Sequence, residues 1–322
     1  MQAKRLSWKN VGNWSKNNTN LLILIVLVFV GLFTSEHFFE WSNLMNLFGR
    51  ISVNGVMTIG FTMTLLVGGF DLSIGSTLSL CAVLCVGIEK STGSFALAIV
   101  VSMSAGLAMG LLNGFLMKLT RGGSGEAFLI TLATGMIAAS LAKYYCNGSE
   151  ITGVFSPVYK AIGQGKITAA AIPISTLIWF VLMIVFQVFI KKTKTGRTFL
   201  LTGANKNSAY LSGVNVNNIK VAAFTIAGVM AAIAAIILTS RVTSASPNSG
   251  AGGDFDAAVA SIIGGNSLLG GHGGMVQVLI GTITFGLITN VLNLMGVSSV
   301  VQYIVKGCIL LLAICLDNLK ER

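Results

Sequence analysis

The sequence predicts an all-α, polytopic membrane protein of about ten transmembrane helices, with both termini in the cytoplasm. Of the 322 residues, 54% are hydrophobic and only 10% are charged, whereas about a quarter of the residues of a soluble domain carry charge. The 38 glycines are typical of membrane helices, because small residues let neighbouring helices pack closely. Apolar runs of about 17–25 residues, the length that crosses a bilayer, recur along the chain.

The polar N-terminus predicts a cytoplasmic start. Residues 1–20 carry Lys4, Arg5, Lys9 and Lys16 and no acidic residue, and basic residues are retained on the cytoplasmic side. No small-residue cleavage site follows the first apolar run, so a cleavable signal peptide is not expected. Residues 21–322 are expected to form one membrane domain. The predicted spans cover residues 21–33, 51–67, 72–88, 95–117, 127–146, 169–190, 221–239, 255–263, 276–295 and 300–316.

One predicted span, at residues 255–263, is too short to cross a bilayer alone. It is expected to be a broken or re-entrant helix, which is allowed where free backbone groups face protein or a water-filled cavity. The basic residues then test the orientation. Lys118, Arg121 and the basic loop 191–220 fall inside, and they outweigh three basic residues in the outer connection 143–166.

Several other classes of function are disfavoured by the residues. The net charge of +11 does not indicate nucleic-acid binding, because the basic residues lie between apolar runs. Cys81 and Cys85 share a helix face, but no His or further Cys accompanies them, so no metal site is expected. A membrane enzyme would need paired carboxylates or a His cluster. Apart from Asp71, the spans are expected to carry almost no charge, and no proton or sodium relay is visible.

Asp71 stands in a long, otherwise uncharged stretch, after Gly68 and Gly69 and before Ser73. A charge at membrane depth usually faces protein or water, so Asp71 is a candidate gate, coupling-ion site or proton relay. The favoured alternative is structural: Asp71 accepts hydrogen bonds from the first amides of a helix that starts near Leu72. A second glycine cluster, which opens with Gly264 and Gly265 and ends at residue 274, loosely repeats this pattern and hints at an internal duplication.

The loop at residues 191–220 is basic and contains a predicted short helix. Asn205 is a suitable N-cap for a helix over Lys206–Leu211, and Gly213 is suited to end it. Such a helix would lie flat at the cytoplasmic surface. It is either a positively charged anchor for lipid headgroups or a docking helix for a soluble partner.

Four motifs stand in a fixed order along the chain. They are Val-Gly-Gly-Phe-Asp-Leu-Ser-Ile-Gly-Ser at residues 67–76, the run 195–216, the polar loop 241–250, and residues 254–268 followed by Gly-His-Gly-Gly at 271–274. Together they resemble the permease subunits of binding-protein-dependent ABC importers for ribose, galactose, arabinose and xylose. The resemblance covers nearly the whole chain.

This resemblance implies a bacterial inner-membrane, multi-pass permease domain that imports a monosaccharide and is not itself an enzyme. It pairs with a second permease copy or a paralogue, receives sugar from a periplasmic binding protein, and is driven by separate cytoplasmic subunits that bind ATP and magnesium. No cofactor is expected in this chain, which has no phosphate loop. The implied ATPase-coupling residues are Gly203, Asn205, Ala209, Tyr210, Ser212 and Gly213. The sequence departs from the family at Ala204 and at residues 206–208, where acidic residues are common.

Polar residues within the spans are candidates for the lining of a weakly selective pore. They are Asn54, Asn113, Ser140, Asn290, Asn293 and Gln302. Each is also suited to bond a neighbouring helix, which is the favoured alternative. Two other functions remain open: an ABC permease for another small solute, such as an amino acid, and an ion-coupled secondary transporter with Asp71 at its ion site.

Overall fold

The structure, a computed structural model, describes residues 19–34, 36–153, 156–167 and 170–320. Most of these residues are helical, as predicted. The helices are α1 (Thr19–Thr34), α2 (Trp41–Leu66), α3 (Ile74–Thr92), α4 (Phe95–Thr120), α5 (Ser124–Tyr145), α6 (Pro157–Gln164), α7 (Ile174–Lys192), α8 (Lys194–Ala204), α9 (Lys206–Leu211), α10 (Val216–Val242), α11 (Gly253–Ile263), α12 (Met275–Leu294) and α13 (Ser299–Lys320). Two short antiparallel pairs join β1 (Ile151–Thr152) to β4 (Ser244–Ala245) and β2 (Lys166–Ile167) to β3 (Ile172–Pro173).

Among the described residues, six helices are long and apolar enough to cross a membrane: α3, α4, α5, α7, α10 and α12. Each coincides with a predicted span. The other four predicted spans fall on α1, α2, α11 and α13. Of these, α2 begins ten residues before the predicted residue 51, because its first part carries polar residues that break the apolar pattern. Its later part is buried from Ile51 to Leu66 at every position except Asn54.

The most extensive contact between two helices joins α4 and α10, and it depends on glycine. Gly106, Gly110 and Gly114 recur every four residues and so lie on one face of α4. A Cβ atom at Gly110 would lie only 2.8 Å from the Thr225 Cα atom of α10. The two backbones therefore approach more closely than any larger side chain would allow.

Contacts between loops define two ends of the bundle. At one end, here called the basic end, Lys220 Nζ donates to the Gly122 carbonyl at 2.5 Å and Lys206 Nζ to the Arg121 carbonyl at 3.1 Å. At the opposite end, β1 pairs with β4, and the Ser156 amide donates to Glu89 Oε1 at 2.9 Å. The helix α6 also lies at this opposite end, where the buried ring of Tyr159 stacks on Phe95 at 4.8 Å.

Two helices begin inside the bundle rather than at either end. After α2 ends, residues 67–73 turn back into the bundle before α3 starts. From the opposite end, the loop before α11 reaches the same depth, and the Gly250 amide donates to Ser79 Oγ of α3 at 2.9 Å. A Cβ atom at Gly75 would lie 3.2 Å from the Asp254 amide. The N-termini of α3 and α11 therefore meet in the interior, and α11 is the short helix that the sequence predicts at residues 255–263.

Candidate functional site

The predicted short helix in the basic loop is confirmed with its bounds unchanged. Asn205 is the N-cap of α9, and its side-chain oxygen accepts from the Ser208 amide at 2.9 Å. The helix ends at Gly213, whose φ of 79° favours glycine. There the Gly213 amide donates to the Tyr210 carbonyl at 2.9 Å and the Val214 amide to the Ala209 carbonyl at 3.1 Å. The preceding helix α8, capped by the Thr193 hydroxyl, was not predicted.

One face of α9 is held by the bundle and the other is free. Ala209 is buried, whereas Tyr210 and Leu211 are 72% and 85% exposed. They border a surface groove of about 850 Å³. The groove is lined by Arg121, Lys206, Asn207, Tyr210, Leu211, Gly213, Val214, Asn215, Val216 and Asn217. Two large apolar side chains on a helix of six residues, surrounded by basic and amide groups, are suited to contact another protein.

The helix α9 is joined to both glycine clusters through residues 66–69, 203–205 and 264–274, here called the junction. The Gly271 amide donates to the Leu66 carbonyl at 3.0 Å. A side chain on Gly203 would meet both of these backbone groups. A Cβ atom on Gly270 would lie 2.8 Å from the Gly68 amide nitrogen. The two clusters whose patterns resemble each other therefore pack against each other, and α8–α9 packs against both.

Gly69, Gly264 and Gly265 occupy three further places in the junction. A Cβ atom on Gly69 would lie 2.9 Å from the buried ring of Phe224. Gly264 ends α11 where it crosses α12, and a Cβ atom there would lie 3.1 Å from the Gly281 amide. Gly265 has a φ of 102°, a conformation that glycine adopts readily.

Asp71 is 2% exposed and lies in residues 67–73 between α2 and α3, here called the re-entrant segment. Its Oδ1 accepts from the Ser73 amide at 2.8 Å and from the Ser73 hydroxyl at 2.6 Å. Ser73 is the N-cap residue of α3, so the helix begins two residues later than expected. Asp71 therefore accepts hydrogen bonds from the N-cap residue and not from the first amides of the helix. The Ser73 hydroxyl also accepts from Asn113 Nδ2 at 2.7 Å, and Thr134 Oγ1 donates to Asn113 Oδ1 at 2.6 Å. This network fixes the re-entrant segment to α4 and α5.

The predicted pore-lining residues lie at separate places. Asn113 belongs to the buried network described above, and Asn290 bonds Asn43 across helices at 3.1 Å. Asn293 Oδ1 accepts from Gln302 Nε2 at 2.9 Å. Asn54 is half-buried on α2, and Ser140 is exposed on the outer face of α5 beside Met136, Ile137, Leu141 and Tyr144. Bonds of this kind are those expected of residues that join neighbouring helices.

A pair of charged residues corrects the expectation that the spans carry almost no charge apart from Asp71. Lys306 Nζ of α13 lies 2.8 Å from Asp256 Oδ2 of α11. It also lies 5.2 Å from the ring centre of Phe285 and 5.3 Å from that of Tyr303. Each charge stands inside a predicted span and was visible in the sequence. Their pairing was not visible in the sequence, because the two residues are 50 positions apart and belong to different helices. In the part of the chain that is described, no group of three His, Cys, Asp or Glu residues is placed to hold a metal ion.

Comparison with known proteins gives one family. The family model described as branched-chain amino acid transport system / permease component matches residues 43–314. The ribose import permease protein of Escherichia coli is 34% identical over 96% of this chain and 95% of that protein. The ribose import permease protein of Bacillus subtilis is 36% identical over 99% and 97%, and the L-arabinose transport system permease protein of Escherichia coli is 30% identical over 96% and 92%. No solved structure matches.

Proposed function

The chain belongs to this family of transport-system permease components, and we propose that it is the permease subunit of an ATP-driven importer of a monosaccharide. The observation that carries the proposal is the similarity to ribose and arabinose permeases over almost the full length of each chain. A permease for another small solute is the second candidate, because the family description names branched-chain amino acids. The sugar-transporting relatives favour a monosaccharide.

The energy for import is proposed to come from separate cytoplasmic subunits that hold ATP and magnesium. Two features support a docking role for α9: its exposed Tyr210 and Leu211, and the groove beside them. The implied coupling residues Ala209 and Ser212 have internal roles. Ala209 is the buried residue of α9 itself, and the Ser212 hydroxyl donates to the Ser208 carbonyl at 2.8 Å. A partner that pushes on α9 would act directly on the junction, since Gly203 contacts the end of α2 and the loop after α11.

The proposed topology has ten membrane segments and both termini in the cytoplasm of a bacterial inner membrane. One of the ten is a broken segment, in which the loop before α11 enters from the opposite end and α11 completes the crossing to the basic end. The basic end is then cytoplasmic, in line with the retention of Lys and Arg on that side. A second permease copy or a paralogue would complete the pore, and a periplasmic binding protein would deliver the sugar at the opposite end.

An ion-coupled secondary transporter is the alternative of a different class, with Asp71 as its ion site. In that case Asp71→Asn abolishes uptake while deletion of the ATPase subunit does not. The importer proposal instead expects that deletion of the ATPase subunit abolishes uptake.

The proposal is tested by purifying the tagged chain from its native membrane and identifying the subunits that accompany it. We expect an ATPase, and we expect vesicles that contain the complex to take up D-ribose only with ATP and the binding protein present. A complex without an ATPase would contradict the proposal. ATP-dependent uptake of an amino acid in place of D-ribose would favour the second candidate.

A further inference from the structure

We propose that the face of α11 and α13 that carries Asp256, Lys306 and Tyr303 lines the water-filled path of the transported sugar, an inference that rests on the proposed importer function. The residues concerned belong neither to the junction nor to the hydrogen-bond network that links Asp71, Ser73, Asn113 and Thr134. None of them is among the polar residues that the sequence marks as pore-lining.

The position of the ion pair along α12 shows how deep the pair lies in the membrane. Phe285, whose ring lies beneath the Lys306 ammonium, is ten residues from the first residue of this helix and nine from the last. A helix of 20 residues spans about 30 Å, the thickness of the hydrocarbon core. The ion pair therefore lies near the middle of the membrane.

The pair is not sealed inside the subunit. The side chains of Lys306 and Asp256 are 20% and 27% exposed. Their neighbours are more open still, since Tyr303 is 60% exposed and Phe255 is 51% exposed. Charged groups at this depth face protein or water rather than lipid, because transfer of a charge into hydrocarbon costs several kcal/mol. Something other than lipid must cover this face.

The balance of charge favours water over a dry protein contact. Asp254 and Asp256 both lie in the first turn of α11, whereas Lys306 is the one cation paired with either of them among the described residues. The N-terminus of α11 offsets part of the second negative charge. A carboxylate without a full partner is costly in a dry interface but is stable beside water.

The chemistry of the face matches a sugar. Carboxylate oxygens accept hydrogen bonds from hydroxyl groups, and an ammonium donates to them. The exposed rings of Tyr303 and Phe255 offer flat apolar surfaces beside these polar groups. Each of the two charged groups exchanges its bond to the other for a bond to a hydroxyl group of the passing sugar. Such exchange holds a monosaccharide only weakly, as a transport path requires.

The test is the reactivity of a cysteine placed on this face of the reconstituted complex. Tyr303→Cys is made in a chain that also carries Cys308→Ser and Cys315→Ser, since the other three cysteines are buried. The probe is the impermeant cation trimethylammonioethyl methanethiosulfonate. The matched control retains Cys308, which is exposed but lies two residues beyond Lys306 and so about 200° around the helix. We expect Tyr303→Cys to react at least about tenfold faster, because a thiol in lipid forms little thiolate.

Phe255→Cys on α11 serves as a second reporter if the first variant does not assemble. Equal rates at the reporter and at Cys308 would overturn the inference. D-ribose with its binding protein and ATP is expected to slow the labelling. The labelling rates are measured without sugar. If the unmodified complex does not take up D-ribose, that result counts against the proposed function and not against the water-filled path.

Discussion

Gly203 lies where any side chain would meet the backbone of two other segments, the Leu66 carbonyl and the Gly271 amide. Backbone atoms cannot rotate away as a flexible side chain does, so Gly203→Ala must displace α8 from the junction. Overpacking of this kind costs about 1–3 kcal/mol. We expect a lower thermal midpoint of the purified permease–ATPase complex and a loss of ATP-driven uptake. Gly125→Ala is the matched control, since a Cβ atom there meets nothing within 4 Å. Equal behaviour of the two variants would contradict the close packing at Gly203.

His37 and Glu40 lie between α1 and α2, outside the spanning helices, where His37 Nδ1 bonds the Glu40 carboxylate. This hydrogen bond, followed by the charge of Glu40, raises the pKa of His37 above its ordinary value of 6.5. The stabilising contact is therefore fully present below the ordinary pKa and is lost as the pH rises through the raised pKa.

Glu40→Gln is expected to return the His37 pKa toward about 6.5, as measured by NMR titration of the solubilised protein. Glu36→Gln is the control, because Glu36 contributes the smallest of the effects on His37. An unchanged His37 pKa in Glu40→Gln would show that the pair does not form in solution.

Individual residues were predictable where the interaction is local. The cap at Asn205 and the helix end at Gly213 follow from residue types within ten positions of each other, and both are found. The pair of Asp256 with Lys306 depends on how α13 packs on α11, which no local pattern specifies. The same holds for the bond between Asn290 and Asn43.

At the scale of single elements, α9 presents Tyr210 and Leu211 outward on a helix too short to be stable alone. Exposed aromatic residues at such a surface commonly supply much of the binding free energy. We expect Tyr210→Ala to weaken binding of the ATPase subunit by about tenfold or more, which is about 1.4 kcal/mol, in a titration with purified subunits. Ser208→Ala, at an exposed position of α9 that does not line the groove, is expected to have little effect. Equal losses in both variants would argue against a docking role for Tyr210.

The re-entrant segment before α3 is held by the bonds from Asn113 to Ser73 and from Thr134 to Asn113. In Asn113→Ala the Ser73 and Thr134 hydroxyls keep their bonds to Asp71 Oδ1 and to the Ile130 carbonyl, but the two bonds through Asn113 that tie the segment to α4 and α5 are lost, at a cost of about 1 kcal/mol each. We expect a thermal midpoint several degrees lower. Ser140→Ala, which alters another predicted pore-lining residue at an exposed position, should leave the midpoint unchanged. If both variants retain stability but only Asn113→Ala alters sugar uptake, Asn113 belongs to the pore after all.

The extent of each element could be predicted when its apolar pattern is continuous. The six spans found here coincide with predicted ones for this reason. The start of α2 was missed because polar residues occupy its first part, and α8 was missed because Lys and Thr residues make it look like loop. In both cases tertiary contacts, rather than apolar periodicity, determine the helix.

At the scale of the whole molecule, the order of the helices was predictable but the meeting of α3 and α11 was not. Each helix begins in the interior after a polar, glycine-containing segment. The segment before α3 enters the bundle from the basic end, and the segment before α11 enters from the opposite end. Only contacts far apart in sequence, such as Gly250 with Ser79, bring these segments to one depth. The three carboxylates of Asp71, Asp254 and Asp256 then stand near two helix N-termini, where negative charge is stabilised.

The path of α11 makes a prediction about sidedness. The helix has only 11 residues, yet it carries the chain from the interior to the basic end, where Gly271 bonds Leu66. Residues 264–274 should then lie on the same side of the membrane as α8 and α9. We expect Leu269→Cys and Lys192→Cys, both at exposed positions, to react with an impermeant thiol reagent only in inside-out vesicles.

Ser149→Cys, which lies at the opposite end and is also exposed, is the matched control and should react only from the outside of intact cells. If α11 returned to the side from which it entered, Leu269→Cys would share the sidedness of Ser149→Cys, and residues 299–320 would run in the reverse direction. Labelling of Leu269→Cys from outside would therefore refute both the ten-segment topology and the contact between the glycine clusters, whereas labelling from inside supports the two together.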